Sequence, residues 1–176
     1  VHEPYVQGDA QRADRAWDWR ITIPALAFAI GAARRPRMFQ VCLAATDHPL
    51  AMVVLLENER WIADPAMPAV YVWYLTGAPA IATSGHGQPR LLTSAALDIA
   101  VTVSLNSRAL GRLWLHAAPE GGTRLLDWYR NRGLEPVPAS ATLPQPRVGR
   151  RRNDSRYFQM KPEAAVAFSM DLDAFR

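Results

Sequence analysis

Residues 69–105 read AVYVWYLTGAPAIATSGHGQPRLLTSAALDIAVTVSL, and the order of parts in this stretch decides the fold class. Ala69 to Leu75 is dense in Val, Tyr and Trp, side chains that fit a pleated surface, so it reads as a central strand. Thr76, Gly77, Ala78 and Pro79 end it, and a loop of small residues with Gly85, His86 and Gly87 follows. Leu91 to Leu105 then carries apolar residues at 92, 96, 97, 100, 101, 103 and 105. That spacing covers a broad helical face and leaves Asp98 and Thr102 outside it. A strand that feeds a loop and then a helix is an anion site in outline. The first amides of a helix have no intrahelical partner, and its dipole adds positive potential there.

Working outward, Gly111 restarts the chain into Arg112 to Ala117, a short strand that stops at Pro119. Thr123 to Arg132 reads as a second helix with Leu125, Leu126 and Tyr129 turned inward and Gly133 just past its end. The turn-rich, basic stretch Pro136 to Arg152 leads into two expected strands, Tyr157 to Met160 and Ala165 to Met170. Upstream, Phe39 to Ala45 and Ala51 to Leu56 flank Thr46, Asp47, His48 and Pro49 in the layout of an antiparallel hairpin. Ala25 to Arg35 has helical composition after Pro24, and Val1 to Arg20 is a polar arm. The expectation is an α/β domain with a mixed, mostly antiparallel central sheet and flanking helices. One domain would span 1–176, with an arm and helix over 1–38, a core over 39–134, and a basic loop and C-terminal strands over 135–176.

Composition narrows the function classes. With 176 residues, 49% of them hydrophobic, the chain can bury a core of its own. The longest apolar candidate, Ile21 to Ala33, is short and broken by Pro24 and Gly31, so a soluble protein with no membrane partner is expected. No signal-peptide pattern follows Val1, which points to a cytoplasmic location. Cys42 is the only cysteine, so an internal disulfide and a multi-cysteine zinc site are excluded, and its apolar run suggests a buried thiol. His2, His48, His86 and His116 are far apart, and no metal site is expected. The nucleophile elbow Gly-x-Ser-x-Gly, the phosphate loop Gly-x-x-x-x-Gly-Lys and the metal pair His-Glu-x-x-His are all missing. The net charge of +4 is almost wholly arginine, with Lys161 the single lysine. Arg147, Arg150, Arg151, Arg152 and Arg156 crowd one stretch that is either a phosphate-binding surface or a solvated loop.

Two segments resemble those of the GNAT superfamily, the acyl-CoA N-acyltransferases. Arg90, Leu91, Leu92, Thr93, Ser94, Ala95, Ala96 and Leu97 are similar to its pyrophosphate loop, Gln/Arg-x-x-Gly-x-Gly/Ala with a Leu two residues later. Arg90, Ala95 and Leu97 match, and Thr93 replaces the most characteristic glycine. Tyr129 to Leu134, Tyr-Arg-Asn-Arg-Gly-Leu, resembles the family's Tyr-x-x-x-Gly-Phe, and Gly122 stands where an asparagine is common. The resemblance covers roughly residues 39–170 and implies a GNAT-like sheet in which the family's fourth and fifth strands are parallel and splayed, making 39–134 a cofactor-binding core. It implies acetyl-CoA, or another acyl-CoA, as the acyl donor. Backbone groups at Tyr74, Leu75 and Thr76 would hold the pantetheine arm. Arg90 and the amides at Leu92, Thr93, Ser94 and Ala95 would hold the pyrophosphate. Tyr129 would be the general acid that protonates the leaving thiolate.

The family does not fix the base that deprotonates the attacking amine. His116, Glu57 and Glu59 are the candidates, imidazole because its ordinary titration falls near neutrality. Arg152, Asp154, Arg156 and Tyr157 enter a strand that would border the acceptor, and they either contact substrate or form a turn in which Asn153 and Asp154 bond their own backbone. The leading expectation is an N-acetyltransferase acting by direct attack of a small-molecule or peptide amine, monomeric or homodimeric. Two alternatives stand beside it: a GNAT-fold binding module with a decayed cofactor site, and an acetyltransferase directed at aminoacylated RNA through the basic stretch 147–156.

Overall fold

The computed structural model describes residues 36–42, 49–77, 89–144 and 153–173. The arm and helix expected over 1–35, the hairpin turn, the loop before residue 89 and most of the basic stretch, Arg147 to Arg152, lie outside the described residues. The rest forms a mixed sheet of six strands: β1 (Arg37–Cys42), β2 (Pro49–Arg60), β3 (Pro68–Gly77), β4 (Leu113–His116), β5 (Glu135–Pro136) and β6 (Tyr157–Met160). Their spatial order is β1-β2-β3-β4-β6-β5. Only β3 and β4 are parallel; every other neighbouring pair is antiparallel. A parallel pair needs a crossover, and α1 (Pro89–Leu105) supplies it. The helices α2 (Gly122–Arg130) and α3 (Pro162–Leu172) complete the expected α/β class.

The two faces of the sheet bury different side chains. On one, Val53, Leu55, Val70, Val72, Leu113, Leu115, Phe158 and Met160 pack under Ala96, Leu97, Ala100 and Val101 of α1 and under Ala165 and Phe168 of α3. Tyr129 belongs to this cluster. The alternate residues of the same strands, Tyr71, Trp114 and Tyr157, form the second cluster with Leu56, Ile62, Val137 and Leu143. The period of two along each strand separates the clusters.

Two expectations are corrected here. Ala165 to Met170, expected as a strand, lies within helix α3. Its short apolar run fits either period, and the deciding signals lie just before it: Pro162 in the first turn, Glu163 where the dipole favours an acid, and the unbranched Ala164. Ala165 and Phe168 then share one helical face, and α3 packs against α1 over Gly111. A Cβ at Gly111 would lie 3.0 Å from Pro162 Cα, and its φ of +88° is in the left-handed region. Cys42, expected buried, is exposed. It sits on β1, the outermost strand among the described residues, where Met38, Gln40 and Cys42 alternate outward while Phe39 and Val41 pack on the core.

Candidate functional site

The parallel ladder of β3 and β4 is short. It joins Val70 to Leu113, Tyr71 to Trp114 and Val72 to Leu115, and goes no further. Beyond it β3 runs on to Gly77 against β2, while His116 pairs with Tyr157 of β6 and the Ala117 amide donates to the Arg156 carbonyl at 2.9 Å. The two strands therefore part after Val72 and Leu115. A bulge accompanies the parting: Val54 and Leu55 are consecutive on β2, whereas their partners Tyr74 and Val72 are two apart on β3, with Trp73 between them. Tyr74, Leu75 and Thr76 stand opposite Val54, Val53 and Met52, half-buried, along the side of the gap that β3 forms.

The helix α1 rises from this end of β3. It begins at Pro89, so the amides of Thr93, Ser94 and Ala95 are already inside its hydrogen-bonded ladder. The first-turn amides without an intrahelical partner fall at Arg90 and Leu91, one turn earlier than the sequence motif suggests. Leu92 packs toward the core, and Thr93 lies against the strand end, where a Cβ on Gly77 would meet its Oγ1 at 2.8 Å. Ser94 is buried and its hydroxyl accepts from Arg132 Nε at 3.2 Å and Nη2 at 3.0 Å. The Arg132 guanidinium also stacks on the Trp128 ring at 3.8 Å and donates to the Trp128 carbonyl, which ties α2 to the first turns of α1. In the sequence Arg132 is one arginine among many at a helix end. Its four-residue spacing from Trp128 was the available signal.

The Tyr-x-x-x-Gly-Leu segment is a helix C-cap. Leu134 N–H donates to the Tyr129 carbonyl at 3.2 Å and Gly133 N–H to the Arg130 carbonyl at 3.0 Å, with Gly133 at φ +79°, the Schellman arrangement. The fixed spacing of Tyr129 and Gly133 follows from that cap. Tyr129 is buried, its ring 5.5 Å from Phe158, and burial pushes its phenol well above the ordinary range. Gly122 has φ +55° and ψ −155°, a region that is essentially glycine's alone, so an asparagine there would be strained.

The candidate bases separate cleanly. Glu59 pairs in register with Ala69 and Glu57 lies beside it, at the end of β3 opposite the gap. The left-handed Asn58, φ +61°, falls in the β2 bulge between them. Glu57 accepts from Arg37 at 2.6 Å, and Glu59 is buried. His116, by contrast, ends β4 where the strands part, on the face opposite Tyr129, with its ring 4.6 Å from that of Tyr157. Its Nε2 is 2.9 Å from Asp154 Oδ2. Partial burial would raise the Asp154 carboxyl, but the His116 hydrogen bond, the Arg156 amide and the imidazole charge outweigh it and hold the carboxyl below its ordinary value.

The segment before β6 is the backbone-bonded turn. Ser155 N–H donates to Asn153 Oδ1 and Arg156 N–H to Asp154 Oδ1, with Ser155 at φ +66°. Asn153 Nδ2 donates to the Pro138 carbonyl at 2.7 Å. The Arg156 guanidinium donates to the Ala117 and Ala118 carbonyls, both at 2.8 Å. Tyr157 is buried in the second cluster, and Arg152 lies outside the described residues. Among the described residues no group of three or more His, Cys, Asp or Glu side chains is placed to hold a metal ion, and no helix is long and apolar enough to cross a membrane.

No family model and no curated protein sequence matches this chain. Solved structures do resemble it. One is the KacTA–DNA complex, with 14% identity, a TM-score of 0.49 and coverage of 77% of this chain and 74% of that one. A second is an AtaT toxin variant bound to the C-terminus of the antitoxin AtaR and acetyl-CoA, with 18% identity, a TM-score of 0.47 and coverage of 75% and 71%. A third is a chimera of the spermidine N-acetyltransferase SpeG from Vibrio cholerae and hSSAT, with 19% identity, a TM-score of 0.47 and coverage of 75% and 69%.

Proposed function

We infer that this chain is an N-acyltransferase that moves an acyl group, most simply acetyl, from a CoA thioester to an amine by direct attack. The end of the β3–β4 ladder at Val72 and Leu115 carries the reading. A parallel pair in the middle of a sheet that opens on one side leaves β3 backbone donors and acceptors facing a slot. An extended amide-bearing arm can pair with such an edge as a further strand would. The donor would be held by Tyr74, Leu75 and Thr76 along the arm and by the first-turn amides at Arg90 and Leu91 at the diphosphate, with Tyr129 assigned to the sulfur. Acyl-CoA supplies the activated thioester. The chain would supply orientation, which is worth several kcal/mol, an amide of β3 for the charge developing on the acyl oxygen, and proton transfer. Tyr129 stays neutral under these conditions and keeps its proton available. Of the three candidate bases we favour His116, which ends β4 just past the last β3–β4 pair.

One observation favours a second reading. Because α1 starts at Pro89 and Thr93 presses on Gly77, the amides that the sequence motif offers are spent within the helix, as in a module that has lost its cofactor site. Calorimetric titration with acetyl-CoA separates the two. The acyltransferase binds it, and Tyr129→Phe keeps binding while turnover falls by roughly 100-fold. A protein that gives no heat with acetyl-CoA and carries no CoA species through native purification is the module.

A further inference from the structure

We propose that Asp154 is a positioning residue for His116, and that the pair acts as a dyad in which His116 takes the amine proton through Nδ1. The assignment rests on the acyltransferase reading and goes beyond it by identifying the base, its reacting nitrogen and the group that orients it.

The geometry around Asp154 carries the argument. A half-exposed ion pair such as His116–Asp154 stabilises a fold by little. Yet the chain builds a rigid frame to hold it. Asn153 anchors the turn to the Pro138 carbonyl, Ser155 takes a left-handed conformation, and the Arg156 amide fixes Asp154 Oδ1 and leaves Oδ2 aimed at the imidazole. The turn is also fastened to the residues that directly follow His116. The Ala117 amide donates to the Arg156 carbonyl, and the Arg156 guanidinium brackets the Ala117 and Ala118 carbonyls. Tyr157, paired with His116 in register, closes one side of the ring. Both members of the pair are thus fixed relative to each other and to the point where β3 and β4 part.

An ionised carboxylate only accepts, so the nitrogen it faces must carry the proton. Asp154 therefore fixes the Nε2–H tautomer of neutral His116 and leaves the Nδ1 lone pair as the base. Overall the acceptor nitrogen sheds two protons. His116 Nδ1 takes one from the ammonium and passes it to water. The nitrogen lone pair forms the C–N bond as the C–S bond breaks. The departing thiolate takes a proton from Tyr129, whose hydroxyl is restored by the second proton from the nitrogen. His116 and Tyr129 lie on opposite faces of the sheet, so base and acid approach the slot from opposite sides.

The isosteric Asp154→Asn variant retains an oxygen for the Arg156 amide but presents an NH2 that permits the opposite tautomer. At a pH alkaline enough for the imidazole to be neutral, ¹⁵N-resolved spectra of the wild-type protein should show His116 protonated on Nε2 and bare on Nδ1, and Asp154→Asn should abolish that preference. Thiol release from acetyl-CoA, with a diamine, an amino-acid amide and a lysyl peptide as acceptors, should fall roughly 100-fold in Asp154→Asn and in His116→Gln. The double variant should be no slower than His116→Gln alone, because a residue that acts only through His116 has nothing left to orient. Losses that multiply in the double variant, or an unchanged tautomer and rate in Asp154→Asn, overturn the dyad while the acyltransferase reading stands. Wild-type protein that binds no acetyl-CoA, or releases no thiol with any of these amines, overturns the acyltransferase reading and the dyad with it.

Discussion

Gly133→Ala should destabilise the fold by a predictable amount, because the residue closes the cap that holds Tyr129. Its φ of +79° is the left-handed region, where an L side chain costs about 1–2 kcal/mol. The added Cβ would also lie 3.3 Å from the Ala164 Cβ on α3, tight enough that α3 must give slightly. The two effects share a sign, so the total should reach about 2 kcal/mol, or about 4–8 °C in melting temperature for a chain of this size. Thermal and urea unfolding of the purified variants would measure it. Gly133→Asn is the control: asparagine carries the same Cβ but visits the left-handed region more readily, so it should recover part of the loss. A Gly133→Ala variant as stable as the parent, or an Asn variant no better than Ala, would show that the left-handed cap does not need glycine. The same variant should loosen the Tyr129 ring, since the Leu134 amide that fixes the Tyr129 carbonyl belongs to this cap.

Two further outcomes test the site's physics without assuming any activity. Burial raises the Tyr129 phenol, so its contribution to stability is complete below its ordinary value of about 10 and is lost as pH rises past it, because the unfolded chain ionises and the folded one does not; the slope is about 1.4 kcal/mol per pH unit. Urea melts of Tyr129→Phe should lack that alkaline loss, and identical slopes for the two proteins would contradict it. Gly77→Ala places a methyl 2.8 Å from Thr93 Oγ1 and should cost about 1–3 kcal/mol, much of it relieved in a Thr93→Ala background; a cost that persists there would place the crowding elsewhere.

Much of the scaffold was legible from local pattern. The β-branched and aromatic run of β3, the period of α1 and the Gly133 stop of α2 are short-range signals, and each element formed within a few residues of its expected place. The Ala165–Met170 stretch misled because a short apolar run satisfies both periods, and Pro162 and Glu163, which settle it, precede the run itself. Glu57, Glu59 and His116 looked alike as candidate bases, since each is a polar residue at or near a strand end.

What the sequence alone determined is the set of elements and their chemistry, because hydrophobic period, turn residues and caps act over a few neighbours. Tertiary structure decided which of them meet. Strand register sent the two glutamates to the far end of β3 and brought His116 to the parting of β3 and β4. It also joined His116 to an aspartate 38 residues away. Register is set by the packing of whole faces against helices, and no stretch of sequence the length of one element contains that information.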